Sequence, residues 1–166
     1  MKNITKKIAF LGVLSALYIV LSLSLKIPTG VGNISFDFGY IVLTIASVFF
    51  GPFAAIVGGI GAALSSILTS AYGFSVSWTV MNIVIGLLFG FLCTKTNKVV
   101  NLIPIIILSV ALGVGFKTGI ECVLYSIPLA VKMPKALVAF VLDSAVMIVG
   151  LPIAKTLQKR IKITEG

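Results

Sequence analysis

Six apolar stretches follow one another along this chain with only short polar breaks between them, at about residues 8–25, 35–50, 53–70, 78–93, 102–127 and 136–157. A helix rises about 1.5 Å per residue, so roughly 20 apolar residues cross about 30 Å of hydrocarbon, with about 17–25 the working range. Inside a bilayer no water satisfies backbone N–H and C=O groups, so each stretch must bond within itself, and the spacing does not suit a closed barrel. The breaks carry turn chemistry: Lys26-Ile27-Pro28-Thr29-Gly30, Gly51-Pro52, a short link holding Gly73, and a segment from Pro128 to Lys135 with two prolines and two lysines. The expectation is an all-α integral membrane protein, one six-helix domain over residues 1–166, with the second and fourth helices short.

Composition agrees. The chain is 59% hydrophobic and only 10% charged, with a mean hydropathy of +1.21, whereas soluble domains are nearer 45–50% apolar. A net charge of +9 would suggest nucleic acid in a soluble protein, but here the cations flank apolar runs and form no aromatic-studded basic surface. They read instead as topology. Lys2, Lys6, Lys7, Lys95, Lys98, Lys155, Lys159, Arg160 and Lys162 fall on the terminal side of the bundle, against Lys26, Lys132 and Lys135 on the other. The positive-inside rule then puts both termini in the cytoplasm, and the expected location is a bacterial-type plasma (inner) membrane. The first apolar run follows Lys2, Lys6 and Lys7 but is longer than a signal-peptide core and is closed by no A-x-A site, so it reads as a retained helix.

Against this background, charges inside the spans stand out. Lys117, Glu121 and Asp143 each sit in an apolar run. An ionisable group at membrane depth is costly and normally faces protein or a watery cavity. Glu121 lies roughly 9 Å from the outer end of the fifth span and Asp143 roughly 10 Å from that of the sixth, so the two acids reach one level. Lys117 lies one turn below Glu121 on the same helical face, with Tyr125 one turn above. Trp78 and Asn82 of the fourth span share the outer third. Together they suggest an outward-opening pocket: an apolar hollow with a few convergent polar groups, the usual form of a small-molecule site. Two acids against one lysine favour a ligand with a cationic or amidine-like donor edge. Plainer roles fit several of these residues as well: an interhelical ion pair for the charges, an interfacial belt for Trp78 and Tyr125, and a cross-helix hydrogen bond for Asn82. The first outward loop, with Gly30, Gly32 and Asn33, followed by Asp37, fits a lid over the pocket mouth or an ordinary connector.

Small residues Ala9, Gly12 and Ala16 share one face of the first helix, which suits either packing within the bundle or docking of another membrane subunit. In the third helix Gly58, Gly59, Gly61, Ala62 and Ala63 suit tight internal packing. The chain has no His, its two cysteines, Cys93 and Cys122, lie inside apolar runs, and no P-loop occurs. No metal site, disulfide, cofactor or ATPase is therefore expected.

Six short helices, the basic N-terminus, the small-residue face and the outward first loop go with two sequence stretches: Ile34-Ser35-Phe36-Asp37-Phe38-Gly39-Tyr40, and the Phe49-Phe50-Gly51-Pro52-Phe53 junction leading to Gly58-Gly59. Together these resemble the substrate-binding S component of energy-coupling factor (ECF) vitamin transporters. The resemblance implies a high-affinity binding subunit for a vitamin or related micronutrient. It would work with an ECF membrane coupling subunit and two cytoplasmic ATPase subunits, which alone would hydrolyse ATP. It implies docking through Ala9, Gly12 and Ala16, and substrate binding by the first outward loop and the outer helix halves. Ser65-Ser66 stands where a folate-like subgroup carries an acid, which argues against folate; Trp78, Tyr125 and two acids suit a flat, nitrogen-rich heterocycle such as a pyrimidine or pterin. The alternative is a stand-alone proton-coupled secondary transporter using Glu121 or Asp143, though no clear internal repeat supports it. Enzyme and channel readings lack a nucleophile–base pair and a ring of repeated charges.

Overall fold

The computed structural model describes residues 2–28, 35–69, 73–96 and 99–160. Six α-helices run in the order α1 (Lys2–Ser24), α2 (Gly39–Phe50), α3 (Ala54–Thr69), α4 (Val76–Cys93), α5 (Val99–Tyr125) and α6 (Leu129–Arg160). α3 packs on α1 and α4, α5 on α4 and α6, and α2 on α6 and α1. Tyr18, Tyr40, Leu43, Met81, Ile85, Phe89 and Met147 fill the centre at 1% exposure or less, while Ile8, Val13, Phe91, Phe116 and Val141 project outward. A bundle apolar both inside and out matches a lipid environment.

Two expectations need correction. The second span was expected to be helical from Ser35. Instead Ser35–Asp37 is a strand, β2, pairing antiparallel with β1 (Lys26–Pro28), Lys26 opposite Asp37 and Ile27 opposite Phe36. The fold is thus helical with one small two-stranded sheet. The local reason is Asp37, whose Oδ1 accepts the Gly39 N–H at 2.9 Å; this turn holds the strand end and lets the helix begin only at Gly39. Second, the segment from Pro128 to Lys135, expected to be a loop, is the start of α6, which runs through Pro134. A proline near a helix start forgoes a single hydrogen bond, and the carbonyl of Pro128 takes the Val131 N–H at 3.0 Å. α5 correspondingly ends at Tyr125, followed by Ser126 at a left-handed φ of 52°. Among the described residues five stretches are long and apolar enough to cross a membrane, Gly39–Thr69 being one continuous stretch that holds both α2 and α3. α2 has 12 residues, about 18 Å of helix.

The junction between α2 and α3 is a 3-10 turn, Gly51–Phe53. Gly51 has φ 59°, a conformation that side chains disfavour. Its carbonyl lies so close to Gly90 that a Cβ there would collide with it. Two glycines thus let the turn sit directly against α4.

Candidate functional site

The polar interior begins on α1. Its buried stripe carries Ser15, Tyr18 and Ser22, at spacings of three and four that keep them on one face. The Ser22 hydroxyl donates to Asp37 Oδ2 at 2.9 Å, so both oxygens of this 6% exposed carboxylate are engaged, one by α1 and one by the start of α2. The Tyr18 ring wedges between Gly39 and Gly61, where a Cβ at either glycine would press on it. Its hydroxyl donates to Asn82 Oδ1 at 2.9 Å. Asn82 is fully buried and its Nδ2 donates to the Trp78 carbonyl, one turn earlier on α4, at 3.0 Å.

Tyr40 meets Tyr18 edge-on, with ring centroids 6.5 Å apart at 71°. Its hydroxyl is buried without a hydrogen bond of good geometry among the described residues, yet it lies beside both the Trp78 side chain and the Asp143 carboxylate. Asp143 is 7% exposed on α6 and within electrostatic reach of Lys117, Asp37 and both tyrosines. Lys117 is within electrostatic reach of both carboxylates that the sequence singled out.

Glu121 has separate partners. It accepts the Ser77 hydroxyl at 3.1 Å and the Lys132 ammonium at 2.6 Å, tying α5 to α4 and α6. Lys132, expected in a loop, lies on α6. Asp37, Trp78, Asn82, Lys117 and Asp143 therefore form one cluster with Tyr18 and Tyr40, and Glu121 forms an ion pair on its flank. Tyr125 is 64% exposed at the end of α5, away from the buried cluster. Asn33 lies outside the described residues, as does most of the expected lid. Tyr18, Tyr40 and Ser22 were missed from sequence. A tyrosine in an apolar run carries no charge to flag it; the only signal was the period of Ser15, Tyr18 and Ser22.

Two apolar grooves mark the outside. One of about 750 Å³ follows α5 past Leu112, Gly115 and Phe116. The other, of about 400 Å³, lies between α5 and α6 along Val114, Thr118, Met133 and Phe140. Neither is lined by the polar cluster. Ala9, Gly12 and Ala16 are exposed on α1, and a Cβ added at Gly12 would meet nothing within 4 Å. This small-residue face is not used for packing within the described bundle. Gly58 and Gly61 of α3, by contrast, press on the Asn82 backbone and the Tyr18 ring, the internal packing expected of that helix.

Some known proteins are similar to this chain in sequence, and a solved structure is similar to it in fold. A UPF0397 protein of Enterococcus faecalis is 36% identical over 98 residues, covering 58% of this chain and 52% of that protein. A UPF0397 protein of Staphylococcus aureus is 34% identical over 94 residues, covering 55% and 50%. The chain spans about half the length of the curated relatives it matches. In three dimensions it is similar to the crystal structure of the S component for biotin from an ECF-type ABC transporter, with TM-score 0.69 over 95% of this chain and 93% of the other. At 18% identity that likeness shows the fold alone. Residues 2–159 match the sequence pattern of one family throughout, and the chain belongs to the ECF-type riboflavin transporter S component family.

Proposed function

We propose that this protein is the high-affinity binding subunit for uptake of a flat, nitrogen-rich heterocycle with a pyrimidine-type edge, as found in riboflavin, pterins and simple pyrimidines. The observation that carries the reading is the gathering of buried Asp37, Tyr40, Asn82 and Asp143, with half-buried Lys117 within electrostatic reach, from five separate elements of a largely apolar bundle. Membrane proteins concentrate such groups where a ligand or ion passes. A pyrimidine-type edge alternates ring N–H and carbonyl groups. Carboxylates at Asp37 and Asp143 match its N–H, and the Lys117 ammonium and the remaining Asn82 amide hydrogen match its carbonyls. The excess of acid over base disfavours ligands that carry a carboxylate, while Trp78 and Tyr40 offer aromatic surface to a flat ring.

In this reading the chain crosses the inner membrane six times with both termini in the cytoplasm, and the ligand enters from outside. Ala9, Gly12 and Ala16 dock a membrane coupling subunit, and two ATPase subunits on the cytoplasmic side supply the energy. Glu121 with Lys132 closes the site's flank rather than touching ligand.

The test is calorimetric titration of the purified protein with riboflavin, pterin and 4-aminopyrimidine, with biotin as the carboxylate-bearing control, alongside quenching of the sole Trp, Trp78. Submicromolar binding of at least one heterocycle and none of biotin is expected. Binding of biotin alone, or of nothing, overturns the proposal.

A further inference from the structure

The hydrogen bonds of Asn82 have a fixed polarity. A backbone carbonyl only accepts, so the atom facing the Trp78 oxygen at 3.0 Å must be the amide nitrogen. The amide oxygen then faces Tyr18 at 2.9 Å, and the phenol must donate its single proton there. Each partner is enclosed: Asn82 and Tyr18 are fully buried, and the phenol ring is packed between Gly39 and Gly61.

We infer that Tyr18 is a positioning residue for the ligand, holding the Asn82 amide in one orientation so that its remaining N–H is presented to the heterocycle. The inference rests on the proposed binding function. Without the phenol, the amide oxygen would lose its fixed donor and the side chain one of its two anchors. The bound amide geometry would then have to be selected at each binding event, which lowers affinity. Tyr18 does this from α1, the helix whose opposite face carries Ala9, Gly12 and Ala16 exposed. Nothing in the apolar pattern of that helix requires a hydroxyl here, since phenylalanine would fill the same space.

The experiment is a double-mutant cycle on ligand affinity in nanodiscs, using Tyr18→Phe, Asn82→Ala and the double variant, titrated with riboflavin, pterin and 4-aminopyrimidine. Tyr18→Phe keeps the ring and is expected to weaken binding about tenfold, the scale of one buried hydrogen bond, through a faster off-rate. In the Asn82→Ala background the same change is expected to cost nothing further. Gly61→Ala, which displaces the ring and alters no polar group, is expected to weaken binding as Tyr18→Phe does. A tyrosine serving only to fill space would lower the melting temperature and leave affinity and the cycle unmoved. Wild-type affinity in Tyr18→Phe, or fully additive effects with Asn82→Ala, overturns the inference while leaving the binding function standing. Failure of wild type to bind any of the three probes overturns the binding function and this inference with it.

Discussion

The Lys132 ammonium sits 2.6 Å from Glu121 Oε2, joining the C-terminal end of α5 to the first turns of α6 across the turn that separates them. The pair is partly shielded, with side-chain exposures of 22% and 16%, and Ser77 of α4 supports the same carboxylate. Three helices thus meet at one acid.

Removing one partner of a shielded pair leaves an uncompensated charge, which costs more than the pair itself contributes. Lys132→Met is expected to destabilise the protein by about 1–3 kcal/mol, read as a lower melting temperature in detergent, with Lys132→Arg near wild type. Glu121→Gln is expected to do the same and to change ligand affinity less than threefold. A large affinity loss in Glu121→Gln at unchanged stability would return Glu121 to the ligand site.

Asp143 and Asp37 are expected to behave in the opposite way. Asp143→Asn and Asp37→Asn preserve shape and replace an acceptor-only group by an amide, so each is expected to weaken heterocycle binding about tenfold or more. Circular dichroism is expected to report an unchanged helical bundle, and Lys117→Met to weaken binding to a similar extent.

Gly12 has open space around it, so Gly12→Leu and Ala16→Leu are expected to leave folding and ligand affinity unchanged. Uptake by cells expressing the full transporter is expected to fall to background, since a bulky side chain separates helices that approach through small residues. Normal uptake in both variants would remove the docking role from α1.

The α2–α3 turn tests the fold itself. Gly90→Ala places a methyl group against the Gly51 carbonyl and is expected to cost about 1–3 kcal/mol by overpacking. Gly51→Ala adds strain at a left-handed φ, typically about 1–3 kcal/mol. Both are expected to lower the melting temperature, whereas Gly73→Ala, at φ 75° but with nothing near its Cβ, meets the strain alone.

Orientation is expected to follow the lysine pattern. A reporter active only in the cytoplasm is expected to work when fused at either terminus, and a cysteine introduced at residue 73 to react with an impermeant thiol reagent from outside. The reverse labelling would invert the assignment.

What the sequence by itself determined is the class and the location of the costly groups. Apolar runs of bilayer length admit little but helices, because lipid offers the backbone no other partner, and Lys117, Asp143 and Asn82 stand out in such runs because an apolar stretch has no other use for them. The sequence also marked the Gly51-Pro52 break and the small-residue face of α1. It did not separate Glu121 from Asp143, since depth along a helix says nothing of which neighbour it faces. Lys132 looked like a loop cation because two prolines flank it, and only the packed structure shows α6 starting early enough to carry it to Glu121. Ser35–Asp37 read as the start of the second helix; pairing with Lys26–Pro28 makes it a strand, and the Asp37 turn sets the helix start at Gly39. Above all, only tertiary structure brought Tyr18 to Asn82, residues 64 positions apart. That hydrogen bond depends on glycines at 39 and 61 thinning two other elements around one ring, a long-range fit that periodicity along the chain does not encode.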